Sequence, residues 1–249
     1  MATKPRQSTA AQLSRRAQRR AEQERAARRR RQLLIGGVVV VAVLAAAVLI
    51  YLNRPKAEQA TAPVQPATGH FTGIPQNGRV LGNPNAPVLL VEWGDYQCPA
   101  CKNFEDLVLP QLINDYIRPG KVRLEFRDFA FIGQESQTAA EAAFCALDQG
   151  KFWDFHETLY ANQLGENVGS FTPARLKQIA QVVGLDMNAF NQCLDSHKHQ
   201  GDVQAMTKQG SSQGVQATPS FSVNNGAPFT ISSYDDLKKA LDKALGAQS

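Results

Sequence analysis

The pair of cysteines in Cys98-Pro99-Ala100-Cys101 stands between two elements that are legible without any structure. Before it runs Val88 to Trp93 (VLLVEW), a near-continuous apolar stretch typical of a strand buried on both faces. Asp95-Tyr96-Gln97 makes a turn, and a helix is predicted from about Pro99 to Tyr116 with a kink at Pro110. A CxxC alone is half of a zinc site, but one placed after a buried strand and at a helix start points to redox use.

The chemistry follows from that placement. With Cys98 as N-cap, its sulfur faces unpaired backbone N–H groups and the positive end of the helix dipole, both of which favour thiolate. Pro99 at the first helical position gives up no hydrogen bond. Three-residue spacing puts Cys98 and Cys101 on one helix face, close enough for a disulfide. Cys98 is expected to be exposed and nucleophilic, and Cys101 shielded beneath it. A zinc site needs two more ligands. Cys145 and Cys193 are single and 48 residues apart, and His197 and His199 have no CxxC partner, so no metal is expected.

Around this motif the chain reads as a mixed α/β domain. Val122, Leu124 and Phe126 alternate with Arg123, Glu125 and Arg127, giving a second strand. Strand, helix and strand in that order imply a right-handed parallel crossover. Residues 134–214 then read almost entirely as helix, with Thr172-Pro173 as cap and first helical residue and Asp186 opening a further helix. Val215, Ser220 to Val223, Asn224-Asn225-Gly226 and Pro228 to Ile231 suggest a terminal hairpin. Ser233 with Asp236 resembles a capping box for a last helix through Leu245.

Charge is distributed unevenly. The net charge is +5, but residues 1–32 carry 11 Lys/Arg against 2 Asp/Glu, and the remainder after residue 52 is net negative. The basic character therefore belongs to a tail and does not argue for nucleic-acid binding. From Leu33 to Leu52 there are 20 residues without a charge, roughly 30 Å of helix, the depth of the hydrocarbon layer. A cleaved signal peptide is the alternative. Its apolar core would be shorter, and the Ala60-Thr61-Ala62 site lies too far beyond the span. The expected organisation is a basic cytoplasmic tail over 1–32, one transmembrane helix over 33–52, a linker over 53–72 and a folded domain over 73–247. The arginine excess before the span places the folded domain outside the cytoplasm.

VLLVEWGDYQCPACKNF, the late Val215-Gln216-Ala217-Thr218-Pro219-Ser220-Phe221 and the intervening EAAFCALDQGKFWDFHETLY together resemble the DsbA-like branch of the thioredoxin superfamily, over residues 80–245. The resemblance implies a thioredoxin fold with a helical domain inserted after the second strand, and a thiol–disulfide oxidoreductase that needs no cofactor. It implies a cis Pro219 packed beside the CxxC, with Thr218 presenting backbone to the cysteines and to substrate. Substrate contacts fall on Pro99, Ala100, Thr218 and Pro219. Glu92 takes the place of an acidic residue beneath the active site, where a buried carboxyl exchanges a proton as thiolate forms. A solvent-facing strand-end glutamate is the alternative. Asp95 ranks lower, on the turn. Trp93, Tyr96 and Phe104 are either groove edges or core.

One departure from the family concerns Pro99-Ala100, where the DsbA type commonly has Pro-His. Losing the histidine removes one source of thiolate stabilisation and makes the disulfide less oxidising. Some relatives carry a cysteine pair in the inserted domain, and an oxidising compartment favours pairing of Cys145 with Cys193 as a structural disulfide. Two buried free thiols are the other possibility. The expected substrates are unfolded or folding secreted proteins. Reoxidation is expected from a quinone-linked membrane protein of the DsbB or vitamin K epoxide reductase kind. A membrane-tethered reductase or isomerase, and a redox-sensing binding module without turnover, are the rival readings.

Overall fold

The computed structural model describes residues 62–246. The tail, the apolar span and the first part of the expected linker lie outside these residues. No helix among the described residues is long and apolar enough to cross a membrane.

A five-stranded sheet has the order β1-β2-β4-β3-β5. Its strands are β1 (Gln76–Asn77), β2 (Val80–Leu81), β3 (Val88–Gly94), β4 (Val122–Asp128) and β5 (Ser220–Val223). β3 and β4 are parallel, Val88 opposite Val122 and Glu92 opposite Phe126, and all other pairings are antiparallel. β3 lies between β4 and β5, and nearly every residue in it is buried, as its unbroken apolar run requires. β4 alternates, with Val122, Leu124, Phe126 and Asp128 inward and Arg123, Glu125 and Arg127 half-buried. The two-residue strands β1 and β2 carry too little pattern to be read from sequence.

Residues 99–117 form one helical stretch of four pieces: α1 (Pro99–Asn103), a π-helical turn (Phe104–Val108), α2 (Leu109–Leu112) and a second π-helical turn (Ile113–Ile117). Pro110 has no N–H, and the irregularity expected there is met by widening the turn before it, where the Leu109 N–H reaches back to the Phe104 carbonyl.

The inserted block holds α3 (Gln134–Leu147), α4 (Phe152–Ala161), α5 (Pro173–Val183), α6 (Met187–Asp195) and α7 (Gln200–Ser212). Thr172 caps α5 by accepting from the Arg175 N–H, and Asp186 caps α6 by accepting from Asn188 and Ala189. α7 lies against the far face of β3. Gly210 is required there because a Cβ would stand 2.7 Å from the Phe129 ring and 3.1 Å from Trp93. α8 (Tyr234–Gly246) ends the domain, and Ser233 Oγ accepts from the Asp236 N–H.

Two expectations are corrected. The terminal hairpin has only one paired rung beyond β5. Phe221 and Phe229 exchange both backbone bonds, at 2.7 and 2.8 Å, and Pro228 has no N–H to extend the ladder. The linker expected over 53–72 is too long, because residues 62–71 are docked on α4 and α5. The Asn162 amide pairs both ways with the Gln65 backbone, at 2.9 and 2.7 Å, and Arg175 takes the carbonyls of Ala62 and Pro63. The His70 N–H donates to Glu157, and Phe71 is 2% exposed with its ring edge-on to Trp153 at 5.1 Å. Pro, Ala, Thr and Gln here signalled a polar tether; polar backbone pairing to buried side chains holds the segment instead.

Candidate active site

The turn between β3 and α1 is held by its own backbone and by Asp95. The Cys98 N–H donates to the Asp95 carbonyl at 3.0 Å. One Asp95 carboxylate oxygen accepts from the Gln97 N–H, and the other from the N–H groups of Phe131 and Ile132. Asp95 is thus occupied as a backbone acceptor, which explains a buried carboxylate on a turn. Gly94 admits no side chain, since a Cβ would stand 2.5 Å from the Phe126 ring.

Cys98 is the N-cap residue of α1, in extended backbone, and Pro99 occupies the first helical position. Cys98 is 8% exposed and Cys101 is 0% exposed. The first cysteine is therefore less open than the sequence implied, though it remains the more accessible of the two. Both are free thiols here. The Thr218–Pro219 peptide is cis, and the Cys98 thiol donates to the Thr218 carbonyl at 3.3 Å, so residues 98 and 218 meet across 120 positions of sequence.

The two sulfurs have opposite electrostatics. Cys98 is lowered from 9.0 to about 6, first because the Cys101 thiol donates to its sulfur. Burial opposes the shift, and the Thr218 side chain with the backbone N–H groups of Cys101 and Ala100 add to it. The Thr218 hydroxyl is buried with no other partner among the described residues. Cys101 is pushed well above the ordinary thiol value by burial, by its bond to Cys98 and by the charges of Cys98 and Glu92. One thiol is poised as an anion and its neighbour as a proton holder.

Glu92 does not face solvent. It is fully buried on β3, and neither carboxyl oxygen has a hydrogen-bond partner among the described residues. Burial raises its pKa well above 4.5, and the charges of Glu105 and Cys98 raise it further. Beside it runs a chain with only a partial sequence signal. His156 on α4 bonds the Tyr96 hydroxyl through Nδ1 at 3.1 Å and Glu105 through Nε2 at 3.0 Å. The chain is satisfied when Tyr96 donates to Nδ1 and Nε2–H donates to the Glu105 carboxylate. Glu105 lies four residues after Cys101 in the same helical stretch, a spacing visible in sequence. His156 lies 51 residues further on, and only the fold brings it in.

A cleft of about 300 Å³ opens beside the cysteines, with Ala100, Phe104, Leu107, Val108, Pro219 and Ile231 among its walls. Leu107 is 65% exposed there, a large apolar side chain left in water. Of the aromatic candidates, Phe104 lines this cleft, while Trp93 and Tyr96 are core. Leu107 and Ile231 were not singled out by sequence, since a lone apolar residue carries no periodic signal.

Cys145 and Cys193 are joined in a disulfide between α3 and α6. Asp148, Cys193 and His199 come within ligand distance of one another, but His199 already bonds Asp148 and Asp202 through its two ring nitrogens. Cys193 is in the disulfide, so this cluster is not a thiolate metal site.

A strand-turn-helix that presents one acidified and one shielded thiol, beside a cis-proline loop and an apolar cleft, defines a dithiol–disulfide exchange enzyme. The thioredoxin family profile matches residues 75–243. The "Probable disulfide bond formation protein D" of Bacillus anthracis is 36% identical over 169 residues, covering 66% of this chain and 77% of that protein. Disulfide bond formation protein D of Bacillus subtilis is 32% identical over 169 residues, covering 67% and 76%. The crystal structure of oxidised BdbD from Bacillus subtilis superposes with a TM-score of 0.64 at 29% identity, over 74% of this chain and 98% of that one. The chain belongs to the thioredoxin family, in its DsbA-like branch of thiol:disulfide oxidoreductases.

Proposed function

We propose that the protein works in the oxidising direction, transferring a disulfide to cysteines of secreted proteins outside the cytoplasm. The observation that carries the direction is the depressed pKa of Cys98. A stabilised thiolate favours the reduced enzyme and so makes its disulfide an oxidant. The shift arises without a histidine between the cysteines, from the Cys101 thiol, Thr218 and the N-terminal N–H groups of α1.

In this reading a substrate thiolate attacks the Cys98 sulfur of the Cys98–Cys101 disulfide. The intramolecular S–S bond breaks and Cys101 leaves as a thiolate, which takes a proton supplied through Glu92. A second substrate thiolate then attacks the substrate sulfur of the mixed disulfide and releases Cys98 as a thiolate. Two electrons pass from the substrate to the dithiol. Ala100 and Pro219 border the groove that receives the substrate chain, with Pro99 and Thr218 next to them in sequence and apolar side chains of the substrate seated against Leu107 and Ile231. A single helix over residues 33–52 anchors the chain, with residues 1–32 cytoplasmic. A quinone-linked membrane protein of the DsbB or vitamin K epoxide reductase kind reoxidises it.

Acid quenching and thiol labelling of intact cells tests the direction. A Cys98–Cys101 pair found mostly oxidised supports the oxidase, and a mostly reduced pair supports a membrane-fed reductase or isomerase.

A further inference from the structure

The backbone that carries Cys98 is gripped from the inserted helical block. Gln163, in the loop after α4, is 7% exposed and its Nε2 donates to two carbonyls, Tyr96 at 2.7 Å and Cys98 at 3.0 Å. Gln97, between those two residues and 0% exposed, reaches the other way. Its Oε1 accepts from the Asn167 N–H at 2.5 Å, and its Nε2 donates to Ser136 Oγ at 2.8 Å. Each side of the boundary thus lends one amide side chain to the other side's polar groups. The remaining groups are taken within the turn and helix: the Cys98 N–H by Asp95, and the Cys98 carbonyl also by the Lys102 N–H.

We propose that Gln163 is a positioning residue for the attacking thiol, binding the two carbonyls that flank Gln97 so that the Cys98 sulfur stays over the N-terminal N–H groups of α1. The physical reason is that Cys98 has only two soft backbone dihedrals. Its φ of −70° and ψ of 120° place the sulfur relative to the helix. Pro99 sets the following φ and confines ψ of Cys98 to the extended region, without fixing its value within that region. Fixing the Cys98 carbonyl fixes that ψ, and fixing the Tyr96 carbonyl fixes the peptide plane that leads into the turn. A buried amide whose two donor hydrogens meet two carbonyls also keeps both acceptors satisfied where water is excluded. The inserted block is then part of the catalytic apparatus and not only a lid on the sheet. Cys101 on the same helix and Glu92 on β3 are the titratable groups whose charge bears on the sulfur; Gln163 acts by geometry, without a charge of its own.

The inference rests on Cys98 as the attacking group, and the test separates the two. Reduced full-length protein and its Gln163→Met variant, which keeps length but has no donor, are alkylated with iodoacetamide across pH 4 to 10, and the Cys98 peptide is quantified. The parent should titrate near the low value derived above. In Gln163→Met the midpoint should rise by about one pH unit, so the alkylation rate at pH 6 falls about fivefold. The far-ultraviolet spectrum should be unchanged. Gln97→Met, which removes the reciprocal half, should shift the midpoint in the same direction by less. A folded Gln163→Met with the parent's midpoint overturns the positioning role while leaving Cys98 as nucleophile. Unfolding of both variants likewise overturns it, in favour of a purely structural contact. A parent midpoint near 9 overturns the reading of Cys98 itself and this proposal with it.

Discussion

Two cysteine pairs of the same molecule behave in opposite ways. Cys98 and Cys101 sit at a helix start beside a cis-proline loop, with one sulfur near N–H donors and the other sealed below it. Cys145 and Cys193 sit inside α3 and α6, where backbone N–H groups are consumed by the helices, with the apolar core on one side and Asp148 and His199 near Cys193 on the other. The first pair is poised for exchange, and the second closes a loop of 48 residues between two helices. The element that differs is not the thiol but the supply of donors to its anion.

The comparison breaks most sharply if the roles within the first pair are exchanged. Cys98→Ser should abolish disulfide exchange with a model dithiol peptide while the melting curve stays near the parent's. Full activity in that variant would end the mechanism. Cys101→Ser should keep the first attack and accumulate mixed disulfides on Cys98, visible as mass adducts, because no resolving thiol remains.

The second pair should answer in stability and not in rate. Replacing Cys145 and Cys193 together by Ser should cost roughly 4 kcal/mol in denaturant unfolding, the loop-closure entropy of the simple model, with exchange kinetics retained. Graded reductant with peptide mapping should open Cys98–Cys101 first. If Cys145–Cys193 opens first, the division between reactive and structural pairs is wrong.

pH sharpens the contrast. Cys98 titrates lower in the fold than in the unfolded chain, so the reduced fold gains stability that is full above 9.0 and lost as pH falls through about 6. The oxidising power against glutathione, relative to an ordinary dithiol, should therefore decline from pH 9 towards 6 and flatten below. Glu92 has the opposite sign. Its raised pKa means stability that is full below 4.5 and lost as pH rises through the folded value. Glu92→Gln should thus be more stable than the parent at high pH and equal to it in acid, with exchange about tenfold slower at neutral pH if the carboxyl supplies the proton. An unchanged rate profile would remove it from the reaction. The smallest effect is expected at the cleft. Leu107→Ser should raise KM for an apolar cysteine peptide about threefold and leave kcat intact, as expected for one partly buried apolar contact.

The parts of this protein that follow from sequence are those with local causes. β3 is readable because both its faces are buried and its pattern is unbroken. The cap at Thr172, the cap at Asp186 and the helix start at Pro99 are readable because capping is settled within three or four residues. The redox reading of Cys98 and Cys101 rests on the same local logic, whereas a buried Glu92 was implied only by the family resemblance. Other features have partners far apart in the chain. The docking of residues 62–71 depends on Asn162 and Arg175, about a hundred positions away. The His156 link between Tyr96 and Glu105 and the grip of Gln163 on the Cys98 carbonyl join groups separated by 50 to 70 positions. A polar side chain in a loop carries no periodicity, so its partner is chosen only when packing removes water and leaves each buried donor one acceptor within reach. Sequence alone therefore marked the CxxC thiols and the framework that carries them. The tertiary structure decided how open Cys98 is, which groups hold it, and that the inserted helices reach into the active-site turn.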